Sequence, residues 1–434
     1  FFTVRRPDLP FGFLDRETPF LADKNNFAPR FGFAYRPFAT TRTVIRGGYG
    51  WYYSSPQSIN FVDNAVVAPP AYQWVTIPAD PRVPDLHWNG KQGVAPETFL
   101  RGVTYGLLTG IEQQWLNGYT QQWSLSLSQE LTRDLVLEAQ YLGSKSTHLE
   151  RAYDNNFTSP SPEPLASRVP FPKWSRIFGF SSGGTANYNA MLLSAEHRFA
   201  EGLAFKGAYT FSKTLASGST RIRSGNIGSA QNPNNLKAEG GLTTDDIRHR
   251  LTMNYLYDLP FGPQQRWARG TKGVVAKLIG GWRVAGITTF RTGFPLTPTV
   301  NNVNCNSAFA NSCRPDLVGS HFGLLDSNGV DTPRFDVNAF DWPRNPSHPA
   351  QRPRFGTAAP NILRSNGLNN WDLSLIKNTY LGERYNVEFR FETFNAFNHP
   401  NFGNPIAAVD SPLFGRTFSA LEARDIQFGL KFYW

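Results

Sequence analysis

Residues 202–213 read GLAFKGAYTFSK. Leu203, Phe205, Tyr209 and Phe211 alternate with Ala204, Lys206, Ala208, Thr210 and Ser212. Successive side chains of an extended chain point to opposite faces, so one face is aromatic and the other polar. A period of two reads as a β-strand. Working outward, RLTMNYLYDLP (250–260) sets Leu251, Met253, Tyr255, Tyr257 and Leu259 against Thr252, Asn254, Leu256 and Asp258. GWRVAGITTFR (281–291) sets Trp282, Val284, Thr288 and Phe290 against Arg283 and Arg291, and RYNVEFRFE (384–392) sets Tyr385, Val387, Phe389 and Phe391 against Asn386, Glu388, Arg390 and Glu392. Applied throughout, the same template predicts eleven strands: 27–37, 43–53, 119–131, 134–143, 186–199, 202–214, 249–260, 281–292, 371–380, 384–397 and 424–434.

Charge placement indicates what covers the apolar faces. Arg30, Arg36, Arg46, Glu130, Glu138, Glu196, Arg198, Lys206, Asp258, Arg283, Glu388, Arg390 and Lys431 all fall on the opposite face. Lys377 is the main exception, near a strand end where its long stem can snorkel. A lipid-facing Arg or Lys at the bilayer midplane costs roughly 2–4 kcal/mol, so lipid exposure would select this segregation. The dimensions agree, since eleven residues at about 3.3 Å each, tilted about 45°, span roughly 25 Å of membrane normal. No run of about 18 apolar residues occurs, which excludes a transmembrane helix but not a spanning strand.

Short links (38–42, 132–133, 200–202 and 381–383) alternate with long ones (54–118, 144–185, 215–248, 293–370 and 398–423), as periplasmic turns and extracellular loops do in outer-membrane barrels. One link departs, because 261–280 is long for a periplasmic turn. The expected fold class is all-β, an antiparallel transmembrane β-barrel. With eleven strands the first and last run parallel and cannot pair in an antiparallel barrel, so the chain reads as the C-terminal half of a 22-stranded barrel over residues 1–434.

Aromatic residues make up 14% of the 434 residues, with 35 Phe, so the apolar surface is aromatic rather than aliphatic. The 43 Lys+Arg against 33 Asp+Glu are scattered singly, and no nucleic-acid-binding motif accompanies them, so no nucleic-acid partner is expected. Cys305 and Cys313, the only cysteines, lie in NNVNCNSAFANSC (301–313), where a loop disulfide in an oxidising compartment fits better than a metal site, with two free thiols as the alternative. His249 and His399 belong to no HExxH pattern, no GxSxG elbow occurs, and Asp245 and Asp246 before Arg248 and Arg250 read as a solvated, mutually paired cluster. No catalytic residue, metal ligand or cofactor is therefore expected, and the chain does not read as an enzyme. Gly47, Gly48 and Gly50 precede no helix pattern and read as relief of crowding or an aid to curvature rather than a phosphate loop. Trp51 and Tyr53 at an outer strand end and Trp434 at a periplasmic one read as an interfacial aromatic girdle.

The chain ends RDIQFGLKFYW, with Ile426, Phe428, Leu430, Phe432 and Trp434 on one face. This resembles the β-signal read by the barrel-assembly machinery, an extended edge suited to strand addition. Three further stretches, NNFAPRFGFAYRP with TVIRGGYGWYY (25–53), DDIRHRLTMNYLYDLPFG (245–262) and RFETFNAFNHPNFGNP (390–405), resemble recurrent barrel segments of Oar-like TonB-dependent receptors, a Gram-negative family abundant in acidobacteria and myxobacteria. The resemblance implies an integral outer-membrane receptor that takes up a large solute with energy from the inner membrane. The family's TonB box, plug and regulatory-like domain are not in this sequence, which begins at Phe1 and reads as an internal start, so contact with the TonB complex would come only through a preceding part. The extracellular ligand is not identified. A passive porin and a soluble carbohydrate-binding β module are the competing functions.

Overall fold

The computed structural model describes residues 23–38, 42–54, 105–112, 114–172, 174–217, 230–263, 265–307, 313–319, 325–343, 345 and 352–434. A meander of eleven antiparallel strands dominates it: β1 (Arg30–Tyr35), β2 (Thr43–Ser54), β3 (Gly118–Glu130), β4 (Leu135–Asp154), β5 (Trp174–Ala200), β6 (Leu203–Ser217), β7 (His249–Asp258), β8 (Trp282–Arg291), β9 (Leu368–Leu381), β10 (Tyr385–Phe394) and β11 (Asp425–Tyr433). These are the eleven strands the alternation predicts. Two short strands, Tyr105–Ile111 and Gly240–Leu242, add to β5 and β6 at the long-loop end, the first of them in parallel.

Register carries the aromatic face from strand to strand. Phe33 stands opposite Gly47, Leu125 opposite Tyr141, Leu193 opposite Tyr209, Leu251 opposite Phe290, and Leu375 opposite Phe391, which in turn faces Phe428. A slip of one residue anywhere would turn a strand's apolar set to the other face. That other face carries ion pairs, Lys206 with Glu196 at 2.9 Å, Arg283 with Asp258, and Arg390 with Glu388 at 2.6 Å. Phe31, Phe428 and Leu430 are about 70% exposed, which water would oppose and lipid does not. Gly47 lies beneath Phe33, and a Cβ on Gly143 would fall 2.2 Å from the Trp123 indole, so glycines facing cross-strand aromatic rings relieve crowding here, as expected for Gly47.

Lys377 is not alone on the apolar face. Register puts Lys145 and Lys213 there too, beside Asn187 and Asn189, where the apolar band gives way to polar residues near the long loops. β4 and β5 run on past that level to 20 and 27 residues, well beyond the predicted 134–143 and 186–199. Register shifts at Ser146, Leu149 and Arg151 mark where their pairing leaves the regular ladder.

The hydrophobic core lies among the loops, not in the sheet. Val300, Phe335, Phe340, Trp342 and Leu363 from the β8–β9 link pack with Val409 and Phe414 from the β10–β11 link. Phe414 meets Phe335 and Phe340 at ring distances of 5.6 and 5.8 Å. The long link expected as an extracellular loop over 293–370 thus holds a small folded unit with two-residue ladders, Pro295–Leu296 with Leu363–Arg364 and Asp316–Leu317 with Phe340–Asp341. Asp246 corrects the sequence reading as well. It is buried, and it is bound by Arg364 at 2.6 Å and by the Thr214 N–H at 2.7 Å, rather than solvated and paired with its neighbours.

Candidate functional site at the long-loop end

A buried ion pair ties the loop unit to the β6–β7 link. Arg314 donates to both oxygens of Glu239, at 2.6 and 3.1 Å, and to the Ala358 carbonyl at 2.7 Å. The Glu239 carboxylate also accepts the amides of Gln231 and Asn232. Every lone pair is used, which is what lets a charge pair persist at 1% and 2% side-chain exposure. Glu239→Ala would leave the guanidinium buried and uncompensated, costing about 3–5 kcal/mol locally. Hydrogen exchange should then rise across 230–242 and 313–319 while β9 and β10 stay protected; an unchanged pattern would show the pair to be dispensable.

Also at the long-loop end, Arg248, Arg291, Arg334 and Arg364 line a cavity of about 520 Å³ with Ser365. Arg364 is neutralised by Asp246. Among the described residues Arg334 has no carboxylate partner within ion-pair distance and instead donates to the carbonyls of Ser327, Arg364 and Ser365; burial lowers its pKa, and Asp326 partly opposes this. Arg291 lies over Phe294 at 4.2 Å, and Arg248 over Phe211 at 5.8 Å. Arg250 stands directly opposite Arg291 in the β7–β8 ladder. Like charges facing each other in a sheet are destabilising. Among the described residues Arg248, Arg250 and Arg291 make no ion pair. Arg250 and Arg291 lie on the charged face of the sheet, and with Arg248, Arg334 and Arg364 they concentrate positive charge at the long-loop end; planar guanidinium forks suit carboxylate or phosphate oxygens.

The predicted site residues are spread over the molecule. Ile426, Phe428, Leu430 and Phe432 are exposed and share the aromatic face of β11, with Trp434 following the strand. Trp51 stacks on Tyr119 at 5.0 Å, and Tyr53 approaches the same ring at 5.7 Å. Cys305 and Cys313 are fully buried in the loop core with Cα atoms 6.1 Å apart and are joined as a disulfide. His249 accompanies Tyr209, with Nδ1 2.8 Å from the phenol oxygen, in an aromatic cluster with Phe211. Among the described residues no group of three His, Cys, Asp or Glu could hold a metal ion.

The profile of a family described as outer membrane beta barrel domain matches residues 15–427. The chain belongs to that family. The sheet of this outer-membrane barrel domain accordingly lies in the outer membrane, with its short turns toward the periplasm and its long loops outside. Among solved structures the barrel domain is similar to the outer membrane transporter YddB from Escherichia coli, at 11% identity and TM-score 0.47, covering 94% of this chain and 40% of that one. It is also similar to the ferric enterobactin receptor PfeA from Pseudomonas aeruginosa, at 10% identity and TM-score 0.47 with coverages of 94% and 40%, and to the FrpB iron transporter from Neisseria meningitidis, at 12%, 0.41, 94% and 39%. The barrel domain thus spans about 40% of the length of these structures. Comparison with curated proteins finds no match.

Proposed function

We propose that the chain is the C-terminal part of a TonB-dependent receptor barrel of the Oar-like type, which binds a large anionic solute at its long-loop end for energy-dependent uptake. The observation that carries this reading is the folded loop unit whose Arg334 and Arg364 share a cavity with Arg248 and Arg291, where among the described residues only Arg364 has a carboxylate partner. A passive pore would have little use for such a recognition surface, and the exposed aromatic face argues against a soluble carbohydrate-binding module. No enzymatic step is assigned to the chain. In this reading β1 and β11 join the remaining strands of a 22-stranded barrel. Contact with the TonB complex belongs to other parts of the complete receptor. Ile426, Phe428, Leu430, Phe432 and Trp434 serve the assembly machinery, Trp51, Tyr53 and Trp434 sit at the membrane interfaces, and the Cys305–Cys313 link braces the loop unit.

The test uses citrate as a probe trianion on outer membranes holding the complete protein. Citrate should protect Arg248, Arg250 and Arg291 from phenylglyoxal. A charge-assisted hydrogen bond is worth roughly 1.5–3 kcal/mol, so replacing Arg250 and Arg291 by Gln should raise the citrate concentration needed to protect Arg248 by about tenfold or more. Equal modification with and without citrate would remove the anion-receptor reading.

A further inference from the structure

The link from β7 to β8 carries a helix, α1 (Gly273–Ile279), at the periplasmic end of the sheet. Gly280 and Gly281 stop it, the latter at φ +73° with the Asn378 carbonyl 2.4 Å from where a Cβ would sit. At 3.6 residues per turn Val274, Val275 and Leu278 form one arc, and they are 72%, 55% and 64% exposed. Trp267, earlier in the link, is half exposed and packs on Phe261 at 5.1 Å.

The surroundings of α1 identify what this apolar arc meets. Trp282, on the lipid-facing side of β8, donates its indole N–H to the Leu278 carbonyl at 2.9 Å. Lys377, on the same face of β9, donates to the Gly280 carbonyl and has its ammonium 5.7 Å from the Trp282 ring. The C-terminal end of α1 therefore lies on the lipid side of the sheet, at the rim of the apolar band. The free carbonyls of a helix end attract a cation, which accounts for Lys377 at the periplasmic end of the aromatic face. The link also has one sign of charge: FGPQQRWARGTKGVVAKLIG (261–280) holds Arg266, Arg269, Lys272 and Lys277 and no acid. Among the described residues none of these four cations makes an ion pair.

We propose that α1 and the turn before it form an interfacial anchor in the periplasmic leaflet and bind acidic phospholipid. Val274, Val275, Leu278 and Trp267 enter the boundary between headgroups and acyl chains, about 5–10 Å deep. The four cations meet the lipid phosphates. This rests on the membrane placement of the sheet and not on the transported solute.

The test takes the complete protein with Val275→Cys labelled by an environment-sensitive fluorophore, Cys305 and Cys313 being occupied by each other. It is reconstituted in vesicles of phosphatidylcholine, alone or mixed with phosphatidylglycerol. Blue-shifted emission, quenched by lipids carrying a nitroxide near the headgroup and protected from aqueous iodide, is the expected result. Water-like emission, with iodide quenching equal to that of a label at the exposed loop position Asp331→Cys, would overturn the anchor. In a second arm, native mass spectrometry should find phosphatidylglycerol retained over phosphatidylcholine. Replacing Arg266, Arg269, Lys272 and Lys277 by Gln should reduce that preference by about fivefold per cation. An unchanged preference in the quadruple variant would overturn the headgroup assignment.

Discussion

Replacing Phe432 and Trp434 by Asp is expected to remove nearly all folded barrel from the outer membrane. β11 pairs on one side only, with β10, and its aromatic face is a continuous ladder: Phe432 opposite Val387, Leu430 opposite Phe389, Phe428 opposite Phe391. Phe432 also stacks on Tyr385 at 5.7 Å and on Trp434 at 6.1 Å. Two carboxylates there lose the apolar transfer of two large side chains, roughly 1.5–3 kcal/mol for a buried Phe, and add the cost of charge facing lipid. They also spoil the alternate side chains that strand addition reads. Quantifying heat-modifiable protein in outer-membrane fractions measures the effect, and Lys431→Gln, on the opposite face of the same strand, should leave the level nearly unchanged. Normal levels of the double variant would show that assembly does not depend on this strand.

The purified 434-residue chain is expected to give no stable conductance in planar bilayers. Eleven strands joined only by antiparallel pairing leave β1 and β11 running in the same direction, and among the described residues neither pairs with the other. Each edge then offers a row of unpaired N–H and C=O groups to lipid at several kcal/mol apiece, far more than a domain's stability can absorb. Aggregation is the expected fate. Steady, uniform openings would show that the strands close by another route and would favour the passive channel over the receptor.

The sheet was legible because lipid imposes a simple rule, apolar residues outward at every second position with charge on the other face, and Leu203 to Phe211 states that rule in nine residues. The template failed where lipid stops acting. It ended β4 and β5 at the bilayer, although β4 runs on to Asp154 and β5 starts as early as Trp174, with pairing that continues beyond the bilayer. The loop core was illegible for the converse reason, since Val300, Phe335, Leu363, Val409 and Phe414 sit in no periodic stretch and meet only through the fold. The arginine site shares that difficulty, because Arg334 and Arg364 join Arg248 from links far along the chain. Asp246 read as solvated because its partner, Arg364, is 118 residues away. Helix α1 was within reach, since Val274, Val275, Leu278 and Ile279 before Gly280 and Gly281 fit a short amphipathic helix with a stop. Judging that link by its length alone hid it.

The shared core of the two outer links also makes the loop unit a joint product of two hairpins. Val300 to Leu363 come from the β8–β9 link, whereas Val409 and Phe414 come from the β10–β11 link. Phe335 and Phe340 both pack against the ring of Phe414. The interior of the unit is therefore complete only when both links stand on the same side of the membrane, and its protease resistance at the cell surface is expected to report that the two hairpins have been placed together.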